Sequence, residues 1–154
     1  MARRYGRCRV GQRLLCKEPW GHWKTITFTG ALRAHGMTAP MILDGPMDGD
    51  SFRAYVTEVL APTLQRGDIV IMDNLPSHKV AGIREAVEAS GARLHYLPPY
   101  SPDLNPIEQA FSKIKALLRK AAARSINALH RAIARIIRSI TPAECVNNLA
   151  NSAY

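Results

Sequence analysis

The sequence predicts an α/β protein, a mixed sheet flanked by helices, with extra helices at the C-terminal end. Three observations carry this. The continuous apolar run Ile69-Val70-Ile71-Met72 has the character of a strand buried on both faces of a sheet. From residue 51 to about 123, helix-type and strand-type segments alternate, the pattern of a parallel α/β portion. Ahead of them, two strand-type segments lie close together with Gly36 between, which adds an antiparallel pair.

Each element has its own signal. Residues 24–32 (KTITFTGAL) are rich in β-branched and aromatic side chains, and residues 39–43 (APMIL) form the second apolar run, closed by Asp44-Gly45-Pro46. Residues 51–64 place Phe52, Tyr55, Val56, Val59 and Leu60 at helical spacing, with Asp50 as N-cap. After the strand at 69–72, a helix is expected over 79–89, capped by Ser77, and a strand over 92–97. A turn-rich stretch, Pro98-Pro99-Tyr100-Ser101-Pro102, leads into a long helix over 106–123 whose apolar stripe is Ile107, Phe111, Ile114 and Leu118. Helices over 126–140 (Ile126, Leu129, Ile133, Ile137 and Ile140 on one face) and 142–149 close the chain. The order is β-β-α-β-α-β-α-α-α. With 154 residues and neither repeat nor long linker, the chain reads as one domain, with the sheet and main helices over 24–123 and the C-terminal helices over 124–154.

Composition narrows the function. A 47% hydrophobic, 21% charged chain is an ordinary globular one. No apolar run approaches the ~18–20 residues of a membrane span, and no hydrophobic block follows the arginine-rich start, so neither a transmembrane helix nor a signal peptide is expected. Cys8, Cys16 and Cys145 are odd in number and suit neither a zinc clip nor a disulfide framework; reduced thiols in the cytoplasm are the expectation.

The net charge of +9 is concentrated. Residues 1–24 hold seven basic side chains (Arg3, Arg4, Arg7, Arg9, Arg13, Lys17, Lys24) against Glu18 alone. Residues 113–138 hold eight (Lys113, Lys115, Arg119, Lys120, Arg124, Arg131, Arg135, Arg138) and no acid. The stretch between them is net −4. Two cationic flanks around an acidic centre suit a polyanion held beside a carboxylate-bearing site, or simply a solvated surface.

Two acids stand out within that centre. Asp73 ends the apolar strand, where ligands of open α/β sheets collect, or it closes an ordinary turn with Asn74. Glu108 opens the long helix and heads a row with Ser112, Lys115 and Arg119, which suits a metal with a phosphate chain alongside. Asn105-Pro106-Ile107-Glu108 also fits a capped helix start, with Asn105 as N-cap and Glu108 at the third position. The 34 residues between the two acids leave room for helix, strand and loop to bring the helix start back beside the strand end. His78 reads locally as a surface or capping side chain; His22, His35, His95 and His130 show no ligand spacing, and Trp20 and Trp23 suit packing or base stacking.

Taken together, Ile69-Val70-Ile71-Met72-Asp73-Asn74 with His78-Lys79 downstream, then Leu97-Pro98-Pro99-Tyr100-Ser101-Pro102-Asp103-Leu104-Asn105-Pro106-Ile107-Glu108, strongly resemble the catalytic domain of bacterial insertion-sequence transposases of the mariner superfamily. The resemblance runs from Arg3-Arg4-Tyr5-Gly6-Arg7 to Pro142-Ala143-Glu144-Cys145, nearly the whole chain. It implies a ribonuclease-H-like fold and a DDE-type enzyme that cleaves DNA phosphodiesters and transfers strands. Asp73 would be the second catalytic aspartate and Glu108 the closing glutamate, both metal ligands, with Asn74, His78 and Asn105 in support. Two Mg²⁺ (or Mn²⁺) ions, transposon-end and target DNA, and a multimeric assembly follow from the same resemblance. Arg3, Arg4, Arg7, Arg9, Arg13, Lys113, Lys115, Arg119 and Lys120 would contact DNA.

The sequence departs from that family in one respect. The first catalytic aspartate belongs on a first, central strand, and no acid precedes Glu18; Asp44 matches a turn after the third strand, and Asp48 and Asp50 fall in the next loop. The expected strand order, 3-2-1-4-5, would then lack its centre and leave two inner edges unpaired. The expectation is a fragment, inactive alone, that needs a complementing N-terminal segment. The rival expectation is a nucleic-acid-binding remnant or regulator that uses the basic segments without metal.

Overall fold

The computed structural model describes residues 7–15 and 24–154. Arg3, Arg4, Cys16, Glu18, Trp20, His22 and Trp23 lie outside the described residues.

The antiparallel pair is β1 (Ile26–Arg33) and β2 (Gly36–Asp44), in register from Ile26 opposite Asp44 to Arg33 opposite Gly36. Its ladder shifts between Thr29 and Ala31, opposite Ala39 and Pro40. Proline has no N–H to donate to a ladder, so a break there follows from the sequence. Ala39 takes a positive φ of 49°, and its carbonyl accepts the Tyr55 hydroxyl at 3.0 Å. Burial pushes the Tyr55 phenol up to about 12. The parallel pair is β3 (Ile69–Met72) and β4 (Arg93–Tyr96), in register from Ile69 beside Arg93 to Met72 beside Tyr96.

The mixed sheet thus exists as an antiparallel part and a parallel part. Among the described residues β1 pairs only with β2, and β3 only with β4. Arg33, at the end of β1, bridges them: its guanidinium donates to both Asp68 carboxylate oxygens, just before β3, and to the Thr63 carbonyl. The expectation that β3 is buried on both faces is corrected here. Ile69 is 53% exposed, Val70 and Ile71 are half-buried, and only Met72 is buried. A continuous apolar run specifies a strand, but its burial depends on neighbours that the run does not encode.

Two helix boundaries also differ. In place of one helix over 51–64, α1 (Gly49–Tyr55) continues as a π-helical turn at Val56–Leu60 and a 3₁₀ turn at Ala61–Thr63, where Pro62 has no N–H to give. Its N-cap is Asp48, whose carboxylate accepts from the Ser51 N–H at 2.8 Å, not Asp50. The helix expected from 79 is α2 (Ile83–Ala89), and Ser77 does not cap it. A separate 3₁₀ turn occupies Pro76–Lys79, and Gly82, at φ 95°, starts the helix with its N–H on Glu85.

The long helix is α3 (Pro106–Ala121), followed by α4 (Ile126–Arg138) and α5 (Pro142–Asn151). Pro106, Ala110, Ile114 and Leu118 are the buried residues of α3; Ile107 and Phe111, expected in its stripe, flank that line half-buried. On α4 the buried residues are Ile133 and Ile136, while Ile126 stays exposed.

These elements enclose two apolar cores. One gathers Phe52, Tyr55, Val56, Leu60, Met72, Ile83, Val87 and Leu94 under the parallel pair. The other gathers Ile114, Leu118, Ile133, Ile136, Ile140 and Cys145 between the helices, with Phe28, Met37 and Ile42 of the hairpin against it. The hairpin therefore serves both: Ala39 is buried in the first core and Phe28 packs on the second.

Candidate active site between the two strand pairs

Asp73 follows the last residue of β3, and the parallel pairing fixes what comes near it. The Leu97 N–H donates to the Met72 carbonyl at 2.8 Å, which carries the β3–β4 pairing one step past the strands and starts the 98–105 loop beside Asp73. That loop folds into a 3₁₀ turn at Pro102–Leu104 and delivers Asn105 and the first turn of α3, with Glu108.

The result is a shared cavity of about 390 Å³. Its walls include β1 residues 27–33, residues 68–73 along β3, and Asn105, Pro106, Ile107, Glu108 and Phe111 at the start of α3. Asp73, His78, Asn105 and Glu108 all line it. Phe28 and Phe111 meet edge to face at 5.9 Å and 79°, which seats α3 on β1.

The capping alternative for Glu108 is not realised. Asn105 makes no side-chain cap bond, and the Glu108 backbone N–H goes to the Asn105 carbonyl at 3.1 Å. The Glu108 carboxylate is exposed and makes no hydrogen bond or ion pair among the described residues.

Asp73 has a different environment. Its Oδ1 touches Nδ1 of His78, off the line of a hydrogen bond, and neither atom has another partner. The His78 ring stacks on Phe52 at 3.9 Å and 24°, and the Tyr96 hydroxyl donates to the His78 carbonyl at 2.7 Å. Neither Phe52 nor Tyr96 carried a functional signal in the sequence. Phe52 reads there as one member of an apolar helix face, and only the fold sets it under His78. The Asn74 Oδ1 is buried without a partner beside Asp73.

Carboxylate oxygens are what a hard divalent cation takes, and such an ion accepts one or two of them with water completing its shell. The donors present fit that chemistry in kind: two carboxylates on one cavity and an unpartnered amide oxygen next in chain. Among the described residues no group of three His, Cys, Asp or Glu side chains is gathered to hold a metal. Asp44, Asp48 and Asp50 are exposed and do not line the cavity.

The basic candidates divide. Arg7, Arg9 and Arg13 are exposed, as are Lys115, Arg119 and Lys120 along α3. Lys113 is different. Its ammonium is paired with Glu144 of α5, and that contact, with the Thr141 N–H, holds the Glu144 carboxyl down at about 2. Lys113 thus makes an ion pair between α3 and α5. Cys145 beside it is fully buried, and burial raises its thiol.

Two strand pairs, an acid at a strand end and an acid at a helix start thus meet at one cavity. The model of the DDE superfamily endonucleases matches residues 1–130, and the chain belongs to that family. The structure is similar to the Mos1 transposase in its strand transfer complex, with a TM-score of 0.78 at 18% identity over 97% of this chain and 46% of that one. It is similar to the catalytic domain of Mos1 mariner transposase, at TM-score 0.67 and 14% identity over 82% of this chain and 76% of that one. The Mos1 mariner paired-end complex with Mn gives 0.74 and 16%, over 97% and 47%. The fold is therefore ribonuclease-H-like, as the sequence predicts, and the chain spans about half the length of the Mos1 chains in those two complexes. No curated protein matches the sequence. No helix among the described residues is long and apolar enough to cross a membrane.

Proposed function

We propose that this chain is part of a DNA transposase whose Asp73 and Glu108 hold a divalent cation, Mg²⁺ or Mn²⁺, for phosphodiester cleavage and strand transfer. The observation that supports this most is that the two carboxylates, far apart along the chain, line one cavity. Family membership and likeness to Mos1 complexes, one of them with Mn, point the same way. A bound divalent cation supplies activation of the attacking oxygen and stabilisation of the leaving one. Asp73 and Glu108 supply its oxygen ligands, and exposed Lys115 and Arg119, on the helix that Glu108 opens, hold the DNA backbone beside them. Water or a DNA 3′-hydroxyl is the nucleophile, so no serine or cysteine is required. The proposed site holds two such ions. The proposed partners are transposon-end and target DNA and further copies of the chain, in the cytoplasm.

The test is nicking of supercoiled plasmid in Mn²⁺ by the protein. Asp73→Asn and Glu108→Gln should each lower nicking by about 100-fold or more and leave DNA retention intact. Full activity in either variant refutes the ligand assignment.

A second reading, nucleic-acid binding without metal, is favoured by the exposed cations of residues 7–13 and α3. Both readings require salt-dependent DNA binding, and the double variant Lys115→Ala, Arg119→Ala should flatten the log–log salt slope by about 2. An unchanged slope removes those two residues from the interface.

A further inference from the structure

We propose that His78 is the positioning residue of the Asp73 carboxylate: it fixes one carboxylate oxygen so that the other is presented to a hard divalent cation. This rests on the reading of Asp73 as a cation ligand.

The imidazole is held far more firmly than an incidental surface histidine. One ring face lies on Phe52 at 3.9 Å, and Phe52 is itself buried in the first core. The backbone is pinned twice, by the His78 N–H on the Leu75 carbonyl at 3.0 Å and by the Tyr96 hydroxyl on the His78 carbonyl at 2.7 Å. The side chain is 18% exposed, and the atom it directs at Asp73 is buried and has no other partner. Packing alone would be served by a phenyl ring, which stacks on Phe52 equally well. The nitrogen has a use only if the carboxylate does. Asp73 Oδ1 is equally without another partner, so among the described residues the His78 ring is the one polar side-chain contact of that carboxylate. Carboxylates that ligate metals are themselves held by outer partners, and loss of such a partner typically weakens metal affinity 10–100-fold. Glu108 has no comparable support, which makes Asp73 the fixed half of the pair.

The experiment uses the full chain and two readouts. Mn²⁺ binding is followed by loss of the free-ion electron paramagnetic resonance signal in wild type, His78→Phe, His78→Asn and Asp73→Asn. Separately, a double-mutant cycle of His78→Phe with Asp73→Asn is read from thermal midpoints without metal. Phenylalanine keeps the stack and removes the nitrogen; asparagine restores an N–H at nearly the depth of Nδ1. The expected result is Mn²⁺ affinity about 10-fold or more weaker in His78→Phe, closer to wild type in His78→Asn, with midpoint shifts that do not add. Wild-type affinity in His78→Phe overturns the positioning role while leaving the ligand reading intact, provided Asp73→Asn has lost binding. Unchanged affinity in Asp73→Asn, or no Mn²⁺ bound by wild type, overturns the ligand reading and the positioning role with it. Additive midpoint shifts overturn the contact itself.

Discussion

The half of the molecule that holds Asp73 and the half that holds Glu108 are stabilised in different ways. Asp73 sits on four-residue strands backed by a core in which Val56, Ile83 and Val87 are fully buried, and its carboxylate is in contact with His78. Glu108 projects from a sixteen-residue helix held by α4, α5 and the hairpin, and its carboxylate makes no hydrogen bond or ion pair among the described residues. One acid is fixed by its surroundings; the other is placed by how a helix docks. The spacing between them therefore depends on contacts that join the halves, chiefly Phe28 against Phe111 and Arg33 against Asp68.

The contrast can be broken most severely in the cores. Ile83→Ala and Ile114→Ala each remove a fully buried side chain and should cost about 2–5 kcal/mol in denaturant unfolding. Hydrogen exchange should show Ile83→Ala opening β3, β4 and α2 first, and Ile114→Ala opening α3 and α4 first. Equal opening of both halves in both variants would mean that the cores are one cooperative unit.

A smaller effect lies in the Glu108 half. The Lys113 ammonium and the Thr141 N–H hold the Glu144 carboxyl near 2 against an ordinary value of 4.5. A carboxyl depressed by folding stabilises above its unfolded value, and that stability is lost as pH falls through the folded value. The α5 docking should weaken between about pH 4.5 and 2 in wild type, and acid unfolding of Glu144→Gln should lack that component. Matching acid profiles would show that the pair contributes nothing to docking.

The smallest effect is expected where the halves are bridged. The Asp68 carboxyl is lowered first by its bond from Arg33 and then by the Gln65 N–H. The pair is partly solvent-exposed, so Arg33→Met should cost no more than about 1 kcal/mol in a thermal melt. A larger loss would make the bridge a structural joint.

Most of the elements were legible because their signals are local. The β-branched and aromatic residues of 24–32, the apolar runs at 39–43 and 69–72 and the helical spacing after Pro106 each depend on side chains a few residues apart. The points left open by the sequence are those where a local pattern serves two ends. Asn-Pro-Ile-Glu satisfies a capped helix start as well as a cavity-lining carboxylate, and only the path of the 98–105 loop separates them. Lys113 looked like its basic neighbours until α5 brought Glu144 against it.

The amino-acid sequence by itself determined the kinds of element, their order and the family, because backbone preference, apolar period and motif are written in neighbouring residues. Only the tertiary structure decided that positions 73 and 108 share a cavity, that Phe52 lies under His78, and that β3 is half open. Those facts depend on which surfaces meet across long stretches of chain, where burial and contact are properties of the assembled whole.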